Sequence, residues 1–304
     1  MDGFINMLKP PGISSSQLVV KMRKILGQKK IGHSGTLDPG AAGVLVLGIN
    51  KGTRLLEYLL DSDKAYQAEL TFGVKTSTGD AFGEIIKEDK MCKVTQKELE
   101  EVLESFKGQH LQTPPMTSAI KQQGKKLYEL AREGKSVERK ARLVKIKDIK
   151  LVQFDTAKDI TKAIFDVECS KGTYIRTLCE DIADKLGTVG YMSFLTRTKI
   201  GLFNIDSSYT IEEIEDSFSK SKHDKSKHDF ISPLETIIDN ENFIKYTLSD
   251  DELFKVLNGR SIQVDLNPMD NRTVALFSTL LSEKKLAALG RIHGNIVKIN
   301  KVFK

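Results

Sequence analysis

This chain is short of nearly everything that would announce a cofactor, a metal or a membrane. It has three cysteines in 304 residues, Cys92, Cys169 and Cys179, widely spaced and without a CxxC pair. That odd, scattered set argues against a disulfide framework and a zinc site and fits free thiols in a reducing cytoplasm. No apolar run reaches the roughly 18 residues of a membrane span. Met1 to Lys9 lacks the basic start and long apolar stretch of a signal peptide, so a cytoplasmic protein is expected. Gly43 and Gly48 have the spacing of a phosphate-binding loop, but Ile49 stands where that loop requires lysine. GxGxxG, HExxH and GxSxG elements are missing too. Any chemistry must therefore rest on the chain's own side chains, with neither cofactor nor metal expected.

What is present begins with charge. The net charge is +6, yet eleven Lys/Arg against Glu129, Glu133, Glu138 and Asp148 give Lys121 to Lys150 a local net of +7. The rest of the chain therefore sums to about −1. A near-neutral protein with one basic block either meets a polyanion there or solvates a lysine-rich surface. The length suggests one large domain and a small one, and a 39% apolar share is enough for a core.

Local patterns place the candidate residues. Lys9-Pro10-Pro11-Gly12 ends a short extended segment, because two prolines and a glycine exclude a helix. Ser14, Ser15 or Ser16 caps a helix with apolar positions Leu18, Val19, Met22, Ile25 and Leu26, and Gly27 stops it. A glycine-spaced loop from Gly32 to Gly40 leads to a buried strand, Val44 to Ile49. Tyr66, Ala68, Leu70 and Phe72 alternate with polar residues as in a half-buried strand. Val94 to Phe106 reads as a helix, opened by Thr95 with Glu98 three residues later. Phe165, Val167 and Cys169 mark another strand. After Ser170-Lys171-Gly172 a helix starts near Thr173. Lys220 to Asp229 repeats Lys-Ser-Lys-His-Asp twice; this solvated excursion is not expected to order a metal through its two histidines. Ser249 to Leu257 reads as a short capped helix, followed by strand-like runs at Ile262, Val274 and Ile299, a small β-rich unit.

Several residues in this frame invite chemistry, each with an ordinary reading beside it. Asp38 sits among Gly32, Gly35, Gly40 and Gly43, which let a backbone approach a ligand closely, and Pro39 restricts its conformation; a plain turn aspartate is the alternative. Arg176 falls in the first turn of its helix, where the macrodipole disfavours a cation. It faces either an anion from elsewhere or Glu180 one turn along. Tyr66 and Tyr174 are aromatic candidates for stacking on an extruded base, although Tyr66 also reads as core. His33 lies inside the glycine loop, where it wedges against nucleotides or merely satisfies a turn. With Ser34 it makes no dyad, since sequence neighbours point apart.

The segment Gly32-His33-Ser34-Gly35-Thr36-Leu37-Asp38-Pro39 closely resembles the aspartate motif of bacterial tRNA pseudouridine-55 synthases, the TruB type. Lys9-Pro10-Pro11-Gly12 with Ser14-Ser15 resembles that family's first motif, and Asp61 to Tyr66 its tyrosine motif. Ser170 to Thr177 resembles its arginine motif, while Gly124 to Arg132 and Leu195 to Arg197 also fall in order. The likeness covers about residues 3 to 238, and the C-terminal part resembles a PUA-like domain more weakly. Leu8, Gly40, Thr117 and Thr196 depart from the pattern, with leucine usual at Gly40, tyrosine at Thr117 and arginine at Thr196.

The resemblance implies an α+β pseudouridine-synthase fold. Its central mixed, largely antiparallel sheet would be flanked by helices, with a catalytic domain over 1–240 and a PUA-like RNA-binding domain over 241–304. It implies isomerisation of uridine 55 in the T loop of tRNA by base flipping, with Asp38 acting on the ribose or on the uracil ring. Arg176 would hold Asp38 ionised, an arginine neighbour lowering an aspartate by about 1–3 units. Tyr66 would stack on the uracil, Tyr174 and Leu195 would line the pocket, and His33 would help extrude the target. Lys9 and Pro10 would border the site. Lys121, Lys125, Lys126, Arg132, Arg139 and Arg142 would meet the RNA backbone. A monomer binding the tRNA T arm without guide RNA or membrane is expected. The alternatives are a non-catalytic tRNA-binding or folding protein, and a related synthase with another RNA target.

Overall fold

The computed structural model describes residues 1–118, 120–122, 124–156, 160–220, 228–239, 242–265, 272–280 and 283–304. Most of the Lys-Ser-Lys-His-Asp repeat, 221–227, lies outside the described residues. Strand β1 (Gly3–Lys9) runs into the Pro10-Pro11-Gly12 turn and helix α1 (Ser15–Leu26). Ser14 caps α1: its hydroxyl accepts from Gln17 N while the Gln17 side chain accepts from Ser14 N. Such a cap is worth about 1 kcal/mol. Strand β2 (Ile31–His33), the glycine loop and β3 (Ala42–Ile49) follow, then α2 (Leu56–Leu60) and β4 (Lys64–Phe72). A hairpin of β5 (Val74–Thr76) and β6 (Ile85–Glu88) precedes α3 (Gln96–Ser105) and β7 (Gly108–Gln112). The basic segment forms a small hairpin, β8 (Lys121–Gln122) and β9 (Lys125–Lys126), then α4 (Leu127–Arg132). Next come β10 (Arg142–Asp155), β11 (Lys162–Cys169), α5 (Ile175–Lys185), β12 (Gly190–Ile200), β13 (Phe203–Asn204) and α6 (Ile211–Lys220).

The main sheet has the order β1-β3-β12-β4-β11-β10-β7, with β2 on β3 and β13 on β12. Only the β3–β12 seam is parallel, pairing Ala42 with Thr196 and Gly43 with Arg197. This is the mixed, largely antiparallel sheet that the family resemblance implied. The seam demands a glycine: Gly43 has φ +106°, and a Cβ there would lie 2.2 Å from the Arg197 carbonyl oxygen. It matters because the aspartate loop enters the sheet at this point.

Burial follows side-chain alternation. Ala68, Leu70 and Phe72 of β4 pack with Phe165 and Val167 of β11 under α3 and α5. Helix α5 contributes Ile175, Leu178, Cys179, Ile182 and Ala183, a 3.6-residue stripe. On β3, Leu45 and Leu47 turn toward α1 and α6, whereas Val44 and Val46 join a cluster shared with the C-terminal sheet. That second sheet, β14-β16-β17-β18-β15, comprises β14 (Phe243–Thr247), β15 (Ile262–Gln263), β16 (Thr273–Leu280), β17 (Glu283–His293) and β18 (Ile296–Val302). Helix α7 (Asp250–Leu257) covers it, capped by Ser249. Cys92, Cys169 and Cys179 are free thiols, and burial pushes Cys169 up to about 12 and Cys179 higher still, which makes both inert. Among the described residues no helix is long and apolar enough to cross a membrane.

Candidate active site

Four strands set the stage. The aspartate loop stands at the start of β3, beside the β12 residues Leu195 to Arg197. Arg197 in turn pairs with Tyr66 of β4, and Tyr66 with Val167 of β11. The chain leaving β11 turns at Ser170 to Thr173 and delivers Arg176 on the first turn of α5. Residues far apart in sequence are thus carried to one end of the sheet.

Arg176 is the hub. Its side chain is buried, with Nε 3.1 Å from Asp38 Oδ2 and Nη1 3.5 Å from Asp80 Oδ2. Nη1 also donates to Thr78 O at 3.2 Å and to Thr117 Oγ1, and Nη2 donates to Thr117 O at 3.3 Å. The helix-dipole penalty of a few tenths of a kcal/mol is small beside two carboxylates. Glu180, the competing partner, instead faces Lys75 at 3.5 Å.

Asp38 is held by its loop. Ala41 N donates to Asp38 O at 3.1 Å, and Ser15 Oγ accepts from Leu37 N at 2.9 Å. Burial pushes the Asp38 carboxyl above the usual aspartate range; Arg176 pulls it down and Asp80 pushes it up. Arg176 lowers this pKa as expected, yet the net direction is upward. Desolvation, joined by a second carboxylate, outweighs the guanidinium's attraction.

Lys9 lies beneath the loop, fully buried, and its Nζ donates to Pro10 O (2.9 Å), Ile13 O (2.8 Å) and Pro39 O (3.3 Å). Desolvation lowers it to about 8, against the pull of Asp38. Together with the Gly12 N to Pro39 O bond of 2.8 Å, it clamps the Pro10-Pro11-Gly12 turn to the aspartate loop.

Tyr66 is half-buried and packs against the core that holds Leu195. Burial pushes its phenol up, opposed by Arg197, to which it hydrogen-bonds. At neutral pH the hydroxyl is therefore protonated. Arg197 is buried, its Nε donating to Val44 O at 2.7 Å and Nη2 to Gly35 O at 3.4 Å. Tyr174 is the residue before α5, and Gln112 holds its backbone from both sides: Oε1 accepts from Tyr174 N (2.8 Å) and Nε2 donates to Tyr174 O (3.0 Å). His33 sits on β2 opposite Leu47, and burial lowers its pKa against the Gly35 backbone. Its buried Nδ1 has no hydrogen-bond partner among the described residues.

The basic segment abuts this site through Thr117. Lys125 is exposed and meets Glu133 at 3.0 Å, and Lys126 lies 5.3 Å over the Tyr128 ring. Arg142 opens β10, exposed, opposite Gln112. Arg139 differs from a surface cation: Nη1 donates to Pro114 O at 3.0 Å and Nε is buried, so it braces the segment from inside. The side chains of Lys121 and Arg132 lie outside the described residues. Asp80 and Gln112 carry no signal of their own in the sequence; only their meeting with Arg176 and Tyr174 marks them, whereas Arg197 ends the Leu195 to Arg197 segment of the resemblance and is tied to Tyr66 by strand pairing.

Comparison with known proteins identifies the family. Residues 23–175 match the TruB family pseudouridylate synthase N-terminal domain, and residues 176–239 the tRNA pseudouridylate synthase B C-terminal domain. The tRNA pseudouridine synthase B of Pelotomaculum thermopropionicum is 49% identical over 72% of this chain and 70% of its own length. That of Streptococcus pneumoniae serotype 4 is 40% identical over the whole of both chains. Among solved structures, an H/ACA ribonucleoprotein bound to a substrate RNA containing 2′-deoxyuridine matches with TM-score 0.75 and 26% identity, covering 99% of this chain and 85% of that one. The chain belongs to the TruB family of pseudouridylate synthases.

Proposed function

We propose that this enzyme converts uridine 55 in the T loop of tRNA to pseudouridine, with Asp38 as the essential carboxylate. The observation that carries the reading is the buried Arg176 gripping Asp38 at the end of the sheet where Tyr66 packs against the cluster that holds Leu195. The reaction breaks the N1–C1′ bond, forms C5–C1′ and moves a proton from C5 to N1. It is therefore redox-neutral and needs no redox cofactor. Asp38 must be ionised to act as base or nucleophile, on the ribose or on the ring. Arg176 supplies the opposing charge that makes ionisation possible in a desolvated site. Tyr66, protonated at neutral pH, stacks on the flipped uracil and keeps it from water, with Tyr174 beside it. His33 assists extrusion as a neutral ring.

Lys125, Lys126 and Arg142 offer the RNA backbone a basic approach next to the active site, as shape- and charge-based RNA recognition requires, and Lys121 and Arg132 belong to the same basic stretch of sequence. Residues 241–304 act as a PUA-like RNA-binding domain attached to the catalytic domain, 1–240. We read the enzyme as a cytoplasmic monomer working without guide RNA. Its likeness to tRNA pseudouridine synthase B proteins runs at 40% over full length, against 26% for the ribonucleoprotein component. Incubating purified protein with an isolated T-arm stem-loop and mapping pseudouridine by nucleotide tests the reading. Modification of the T-loop target without any added RNA or protein supports it. Modification only when such a partner is supplied, or at other uridines, overturns it.

A further inference from the structure

The loop between β5 and β6 carries, two residues beyond Asp80, an aromatic ring that neither the core nor the chemistry accounts for. Phe82 is 78% exposed, the most exposed large apolar side chain among the described residues. A lone exposed phenylalanine means little, but this one is held in place against the aspartate loop. A Cβ built on Gly40 would lie 2.0 Å from Phe82 Cε2 and 2.7 Å from Cζ, so the ring edge rests directly on the glycine backbone. Only Pro39 separates Gly40 from Asp38. The loop is pinned by the same carboxylate that faces Arg176. Asp80 Oδ1 accepts from Phe82 N at 3.0 Å and from Thr78 Oγ1 at 2.6 Å, and Thr76 Oγ1 donates to Asp80 O at 2.7 Å. Gly40 leaves the space that the ring edge fills. A side chain there would collide with the ring, so in this chain apolar surface at the rim comes from the opposite loop.

We infer that Phe82 is a substrate-positioning residue: its open face stacks on a nucleobase of the RNA that flanks the target uridine. The inference rests on the proposed action on a T-loop uridine. A base drawn out of its stack leaves its neighbours with exposed faces, and an aromatic ring at the rim recovers that lost stacking without reading sequence. Gly40 beneath the ring and Asp80 behind it fix its position, so little freedom is lost on binding.

The chain contains no tryptophan, so Phe82→Trp introduces a single reporter at the rim. Titration of this variant with an unmodified T-arm stem-loop is expected to quench its emission saturably. In steady-state kinetics with the same RNA, Phe82→Leu, which fills apolar space without a π-face, is expected to raise KM by about ten-fold with far less change in kcat. Phe82→Tyr is expected to restore KM. Leucine performing as well as phenylalanine, or emission unmoved at saturating RNA, overturns the inference and leaves Phe82 as a strut between loops. Wild-type protein assayed alongside separates the two claims. If it binds the stem-loop but forms no pseudouridine, the proposed substrate fails, whereas quenching still reports whether the ring stacks.

Discussion

Asp38 and Asp80 face one guanidinium: Arg176 Nε is 3.1 Å from the first and Nη1 is 3.5 Å from the second. Two carboxylates on one buried cation leave Asp38 with less than a full partner. In the proposed reaction this arrangement positions the carboxylate that acts, while burial and Asp80 raise its pKa against the pull of Arg176.

The first expectation concerns the fork of Arg176. Lysine keeps the charge but cannot span Asp38, Asp80, Thr78 O and Thr117 at once. Arg176→Lys is expected to reduce kcat by about 100-fold or more while changing KM for tRNA little, since interactions that orient the reacting group act on the chemical step. Single-turnover rates at saturating tRNA measure this.

A pH profile tests the electrostatics. Asp38 is raised above the ordinary carboxylate range by burial, so it takes up a proton at a higher pH than a free aspartate. The rate should fall on the acid side with an apparent midpoint above about 3.9. Asp80→Asn removes a like charge and should shift that midpoint to lower pH. A midpoint that does not move would disconnect Asp80 from the ionisation. The same sign governs stability. A raised carboxylate costs the folded state as pH rises from its unfolded value through its folded one, so this group favours folding most in acid.

Lys9 offers a separate test. Its lowered value of about 8 means that the folded state gives up this proton before the unfolded state does. From this group, stability should rise as pH climbs from about 8 toward 10.5. Lys9→Met removes the donor shared by Pro10 O, Ile13 O and Pro39 O. Part-buried acceptors left without it should cost less than the roughly 1–3 kcal/mol each of fully buried ones. Denaturant melts at pH 7 and pH 10 should show the variant less stable and without that component of the pH slope.

RNA binding by the basic segment should weaken steeply with salt. Replacing exposed Lys125 and Arg142 by glutamine should lower the magnitude of the log Kd against log salt slope by about 1 for each phosphate no longer neutralised. Affinity equal at low and high salt would remove the segment from the interface.

Much of this architecture is legible in the amino-acid sequence. The aspartate loop, the caps of α1 and α3 and the α5 stripe are local patterns, in which the residues that form the element are also those that reveal it. Strands β10 and β12 escape such reading. β10 carries Lys145, Lys147 and Lys150 on its outer face, and β12 is interrupted by bulges near Met192 and Arg197, so alternation in both is blurred. Asp80 and Gln112 are invisible for a different reason. Each acts through a partner more than 60 positions away along the chain, and no spacing rule reaches that far. Sequence misleads on the Asp38 pKa because a motif shows neighbouring charges but not the depth at which they sit.

The central claim is that Asp38 performs the chemistry. Unmodified tRNA transcript incubated with wild type and with Asp38→Asn, at protein in excess over RNA, tests it by mapping pseudouridine at the T-loop uridine. Wild-type modification, with no product from the variant although it binds the transcript with similar affinity, is the predicted result. Pseudouridine formed by Asp38→Asn at a rate within about ten-fold of wild type would contradict the account, since losing the essential carboxylate must cost far more than the roughly 1.4 kcal/mol that factor represents.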